Sequence, residues 1–152
     1  MAGRSAGLLM YRMRGERPEV LLVHPGGPFF AKKDDGAWSI PKGEIAAEED
    51  PLAAACREFE EETGVRPVGP FRELPSVRLK GGKVVHAWAF KGDCDPAAIR
   101  SNTFTLEWPP RSGTMREFPE VDRAAFFPID EAAKKINPAQ RALLDELRRM
   151  LA

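Results

Sequence analysis

At 152 residues the chain has the length of one ordinary domain, large enough to bury a core and too short to suggest two. Its 23 basic and 23 acidic residues balance, which excludes a general positive field for nucleic-acid backbones, so any polyanionic ligand must be met by a local device. The apolar start Gly7–Tyr11 is far shorter than a signal segment, no run approaches the roughly 20 apolar residues of a membrane span, and Cys56 and Cys94 mark neither a disulfide framework nor a zinc site, so a cytoplasmic protein with reduced thiols is expected.

In chain order, two apolar runs, Ala6 to Tyr11 and Val20 to Val23, flank the turn chemistry of Gly15–Pro18 and read as a hairpin. Residues His24 to Gly36 carry Pro25, Gly26, Gly27, Pro28 and Asp34-Asp35-Gly36, and read as a loop that borders a site. The best-punctuated helix lies between Asp50 and Gly64: Asp50 is a suitable cap, Pro51 fits the first helical position and Gly64 the residue after the end. Val84 to Phe90, Thr103 to Trp108 and Ala124 to Ile129 are rich in branched and aromatic residues and read as strands. Lys91 to Arg100 and Trp108 to Gly113 read as loops. A helix is expected from near Asp130, and a last one from Asn137-Pro138 that lines up Leu143, Leu144, Leu147 and Leu151 on one core-facing stripe. The whole reads as a single α+β domain over 1–152, a mixed sheet flanked by helices.

The helix after Asp50 has two unlike faces. At about 100° per residue, Glu58, Glu61 and Glu62 share one side, while Leu52, Cys56, Phe59 and Thr63 point the other way into a buried stripe. Like charges at this spacing, near a helix C-terminus, oppose the helix by a few tenths of a kcal/mol. A hard divalent cation such as Mg²⁺ or Mn²⁺ removes that conflict, because it takes oxygen ligands and cancels their charge. A solvated acidic helix end is the bland alternative for three glutamates taken alone.

The context decides between them. Gly43, five residues, Glu49, seven residues, then Arg57-Glu58-Phe59-Glu60-Glu61-Glu62-Thr63-Gly64-Val65 matches the Nudix box at all nine of its defining positions. At roughly 6% per fixed residue, a chance match in a chain this long is on the order of one in ten million. The chain therefore resembles the Nudix hydrolase family, with the box at 43–65, and the pattern on either side resembles its α/β/α sandwich. The resemblance implies that Glu58, Glu61 and Glu62, with the Gly43 carbonyl, bind Mg²⁺ or Mn²⁺, that Arg57 orients them, and that Glu49 braces the loop before the helix. It implies hydrolysis of a phosphoanhydride, with Glu58 the first candidate for the general base and Glu120 the second, Glu117 being near enough to be confused with it. Two positions depart from the usual pattern: Glu48 stands where a glycine is common and Ala46 where an acidic residue is frequent, so the loop is either ordinary in conformation or strained.

Trp38-Ser39-Ile40-Pro41-Lys42-Gly43 is similar to the approach to the box in the dinucleoside polyphosphate (Ap4A-type) branch. Lys42 then faces phosphate, or is a solvated turn lysine. On the strand Lys83–Phe90, His86, Trp88 and Phe90 alternate onto one face, where Phe90 reads as core and His86 and Trp88 as lining for a base or as packing. The favoured substrate is a small nucleotide, a dinucleoside polyphosphate or nucleoside triphosphate. The alternatives are a pyrophosphohydrolase of RNA 5′ ends, which the neutral charge disfavours as a nucleic-acid partner, and a non-catalytic nucleotide-binding module, which would be expected to lack one of the three carboxylates. Residues 93–116 are expected to shape specificity.

Overall fold

The computed structural model describes residues 3–152. Its centre is a six-stranded mixed sheet in the order β4-β5-β1-β2-β8, with the short β3 also paired to β1. The strands are β1 Arg4–Arg14, β2 Arg17–Pro25, β3 Lys42–Glu44, β4 Arg72–Arg78, β5 Val84–Lys91 and β8 Val121–Pro128. The first two form the expected hairpin, Arg14 opposite Arg17, and β1 runs parallel to β5 from Arg4↔Val84 to Tyr11↔Lys91.

Both faces of this sheet are covered, which explains why β1 and β2 are continuous apolar runs instead of alternating ones. On one face Leu9, Val20, Leu22, Val85, Ala87 and Ala89 pack beneath the C-terminal helices α2 Ile129–Lys135 and α3 Arg141–Leu151. On the other, Ala6, Leu8, Met10, Leu21 and Phe90 meet Ala54, Ala55 and Phe59 of α1 Pro51–Thr63. The leucine stripe of α3 is core as expected, with Leu143, Leu144 and Leu147 buried and Leu151 partly so. Its first turn differs from expectation: Asn137 caps a 3-10 turn over Pro138–Gln140, and the α-helix starts only at Arg141.

The ends of α1 form as its sequence requires. The Asp50 carboxylate accepts from the Ala53 N–H at 3.0 Å, and Gly64 closes the helix in the left-handed region, φ 76°, with its N–H on the Glu60 carbonyl. The loop leading in, residues 45–50, is strained at Glu48, whose φ is +63°. Glycine has no steric penalty there, so Glu48→Gly is expected to raise the free energy of unfolding by roughly 0.5–1 kcal/mol in a denaturant titration, and unchanged or lower stability would show that the side chain compensates for its own strain.

Three strands were not legible in the sequence. β3 is short and pairs through Gly43↔Ala6, β4 carries Pro75 at a register shift against β5, and β7 Met115–Pro119 pairs with β6 Thr103–Glu107 in a separate two-stranded arm. Among the described residues no helix is long and apolar enough to cross a membrane.

Candidate active site

Arg57 is the hub of the box. Its Nε and Nη2 donate to both oxygens of Glu49 at 2.8 and 2.9 Å, a bidentate pair, and Nη1 donates to Glu58 Oε1 at 2.9 Å and to Glu61 at 3.3 Å. Nη2 also reaches the Glu44 carbonyl at 3.1 Å, which ties β3 to the helix. The Glu49 carboxylate is held down to about 2, by Arg57 first and by the Ala46 N–H second. Glu58 lies against the backbone of β3: a Cβ on Gly43 would fall inside its carboxylate. Gly43→Ala must therefore displace Glu58, and we expect turnover to drop at least 100-fold with the fold retained by circular dichroism; near-normal turnover would show that the Glu58 position is dispensable.

Glu62 stands deeper than expected. The helix periodicity put it on a solvated face, but burial, only partly offset by Lys42 and reinforced by Glu58 and Glu120, pushes its carboxyl up to about 8. Lys42 is itself half-buried, and the same desolvation lowers its pKa against the pull of Glu62 and Glu58. Lys42 is thus not a solvated turn lysine; it faces the carboxylates. Lys42, Glu62 and Glu120 line one cavity of about 210 Å³ with Val23, Pro25, Ser39, Ile40 and Val121. The loop read as bordering a site does so through Pro25. Its neighbour His24, fully buried, bridges Asp122 Oδ1 at 2.8 Å and the Lys33 carbonyl at 2.6 Å, fastening that loop to β8 just beyond Glu120. A lone histidine ending an apolar strand gave no signal of this in the sequence.

The structure does not bring His86 and Trp88 to this cavity. Both lie on the α1 side of β5, where Trp88 packs on the helix-side core and the His86 Nε2 is buried without a hydrogen-bond partner. Glu117 is out on the β6–β7 arm, opposite Thr105, which separates it from Glu120.

A family model for the NUDIX domain matches residues 1–147. The chain belongs to the Nudix family. It is 34% identical over 125 residues to an RNA pyrophosphohydrolase of Rhizobium meliloti, 72% of this chain and 70% of that one, and 30% identical over the same length to an RNA pyrophosphohydrolase of Mesorhizobium japonicum. The fold is shared with an Ap4A hydrolase of C. elegans (TM-score 0.69, 23% identity, 99% of this chain and 98% of that one). It is also shared with the NUDIX domain of Shewanella oneidensis NrtR, solved with ADP ribose (TM-score 0.69, 17% identity, 100% and 90%). As a Nudix hydrolase the protein acts on phosphorus-containing acid anhydrides, and the family generally works with divalent cations.

The residues of this Nudix box suit such a cation by their chemistry. Glu58, Glu61 and Glu62 are hard oxygen donors on one helix, Glu58 is pressed against the Gly43 backbone, and the desolvation that raises the half-buried Glu62 carboxyl, which Lys42 only partly offsets, is what a cation would relieve. Among the described residues no three acidic, histidine or cysteine side chains are gathered into a ligand cage, and Glu58 and Glu61 are turned to Arg57. A carboxylate has about four acceptor sites, so pairing with Arg57 leaves Glu58 and Glu61 able to take a cation as well.

Proposed function

We propose that this Nudix protein is a Mg²⁺- or Mn²⁺-dependent pyrophosphohydrolase of a nucleotide carrying a polyphosphate chain, a dinucleoside polyphosphate or nucleoside triphosphate. The observation that carries this reading is the cavity of about 210 Å³ in which Lys42, Glu62 and Glu120 meet beside the Arg57-held Glu58. Its size suits phosphoryl groups, and its lining combines one cation with carboxylates on either side. Glu58, Glu61, Glu62 and the Gly43 carbonyl would hold the divalent cation, which when bound would neutralise the charge developing on the phosphoryl oxygens. Lys42 steadies a phosphate and offsets part of the desolvation that raises the Glu62 carboxyl. Arg57 fixes Glu58 and Glu61 at the angle the helix alone does not set. A water attacks phosphorus in line with the leaving phosphate, and a carboxylate takes its proton. Glu58 and Glu120 are the two candidates, and Glu120 is favoured because it stands at the cavity while Glu58 is engaged by Arg57 and the Gly43 backbone.

A second reading, removal of pyrophosphate from an RNA 5′ end, is favoured by the relatives at 34% and 30% identity that bear that name. Product release from dinucleoside polyphosphates, nucleoside triphosphates, nucleoside-diphosphate sugars and 5′-triphosphorylated RNA, measured with Mg²⁺, with Mn²⁺ and with chelator, separates them. Cation-dependent cleavage of the free nucleotides supports the first reading. Cleavage confined to RNA establishes the second, and no cleavage of any substrate rejects both.

A further inference from the structure

The cavity of about 210 Å³ is smaller than the about 300–1,000 Å³ of pockets that enclose a whole organic ligand, so it takes phosphates and leaves a nucleobase outside. The base must rest on surface beside the cavity mouth. One rim of that mouth is Pro25 and Glu120, and from it two segments run outward together: the loop after Pro25 and the β6–β7 arm.

They are joined along their length. The Gly26 N–H donates to the Glu120 carbonyl at 2.9 Å, and the Phe104 ring lies so close to Gly27 that a Cβ there would come 2.9 Å from it. Further out Phe29 meets Trp108 edge-to-face, ring centroids 5.5 Å apart. The arm also stands on the catalytic helix: the Asn102 N–H donates to the Glu61 carbonyl, and the Glu120 N–H to the Asn102 carbonyl at 2.8 Å. Single exposed apolar side chains are ordinary. Here Phe29 is 61% exposed and Phe30 38%, side by side and next to a tryptophan, on the loop that leads away from the phosphate-sized cavity at Pro25. Lys33 of the same loop holds its ammonium 5.3 Å from the Phe30 ring, adding a positive charge beside the exposed aromatics.

We propose that Phe29 and Trp108 form a stacking platform for the substrate's nucleobase, presented by the β6–β7 arm. The inference rests on the pyrophosphohydrolase reading above. At about 3.4 Å per residue, Trp108 stands roughly 17 Å from the root of the arm at Thr103. The base it meets is therefore one separated from the reacting phosphorus by its ribose and further phosphates, which selects polyphosphate nucleotides over short ones. Stacking tolerates any base and contributes about tenfold or more in affinity for each base stacked. A free nucleotide and an RNA 5′ end present the same chemistry to the platform.

The test is calorimetric titration of the full chain, with Mg²⁺, by an ATP analogue whose bridging oxygens are replaced by non-hydrolysable groups, and by the matching tripolyphosphate without a nucleoside. The wild type is expected to bind the nucleotide about tenfold or more tighter than the tripolyphosphate. Phe29→Ala and Trp108→Ala are each expected to lose most of that advantage while binding tripolyphosphate as before, which also shows that they fold; Trp108→Phe should keep it. Variants that retain the full advantage overturn the platform and leave the hydrolase reading standing. A wild type that binds neither ligand overturns the reading and the platform with it. Repeating the titration with a short RNA bearing the same non-hydrolysable 5′ triphosphate assigns the source of the base: the tighter wild-type ligand must be the one that Trp108→Ala weakens, and if it is not, the platform is rejected.

Discussion

Glu62→Gln is expected to abolish turnover and, in the cation-free protein at pH 8, to raise stability. The Glu62 carboxyl is pushed from an ordinary 4.5 up to about 8, chiefly by burial. Between those two values the folded chain keeps a proton that the unfolded chain releases, so stability falls as pH rises from about 4.5 to about 8. The shift corresponds to roughly 2–4 kcal/mol after allowance for relaxation and water penetration. Glutamine keeps the shape and has no charge to desolvate, so the variant should show a higher Tm at pH 8 than the wild type and little pH dependence over that window. Adding Mg²⁺ or Mn²⁺ should raise the wild-type Tm and leave that of the variant nearly unmoved. A variant that hydrolyses at near wild-type rate removes Glu62 from the cation site; one that is less stable at pH 8 contradicts the burial of its charge.

Arg57→Ala should damage both stability and catalysis. The guanidinium satisfies Glu49 through two bonds, Glu58 and Glu61 through others, and the Glu44 carbonyl, so its removal leaves three carboxylates facing one another around a half-buried space. A loss of roughly 2–4 kcal/mol is expected by chemical denaturation, less than for a fully buried network because the arginine side chain is 37% exposed. Turnover should fall by two or more orders of magnitude, since Glu58 and Glu61 lose the group that aims them. Arg57→Lys should recover little of either, because an ammonium cannot hold Glu49 bidentately while reaching Glu58. The same pair contributes to the acid limit. With Glu49 held down to about 2, its contribution is complete above the ordinary carboxylate range and is lost as pH falls from about 4.5 through 2. Acid titration of the wild type should show that loss and Arg57→Ala should not; coincident acid transitions in the two proteins would show that the pair contributes nothing to folding.

The sequence by itself determined the elements whose signals are local. Asp50, Pro51 and Gly64 delimit α1 because a cap, a fixed φ and a left-handed residue act within a few bonds, and the structure places the helix between them. The leucine periodicity of α3 and the apolar runs of β1 and β2 follow from burial, which a period reports directly. The nine box positions established the family for the same reason, being a fixed spacing of residue types.

Tertiary structure decided what spacing cannot carry. β3, β4 and β7 form because partner strands complete their ladders, and their own residues, among them Gly43, Pro75 and Glu117, have little preference for strand. Glu62 shares a helix face with Glu58 and Glu61, yet its burial depends on β3, Lys42 and the cavity wall from β2, which helix geometry does not include. His86 and Trp88 alternate correctly onto one face of β5, but whether that face meets substrate or α1 is fixed by where the helix packs, and it packs there. Glu120 comes to the cavity only because β8 lies beside β2, so that 57 residues of intervening chain separate it from Glu62 in sequence and none do in space. Charge and capping act over a few residues and leave their mark on the sequence; desolvation is a property of everything packed around a group, and only the folded chain defines it.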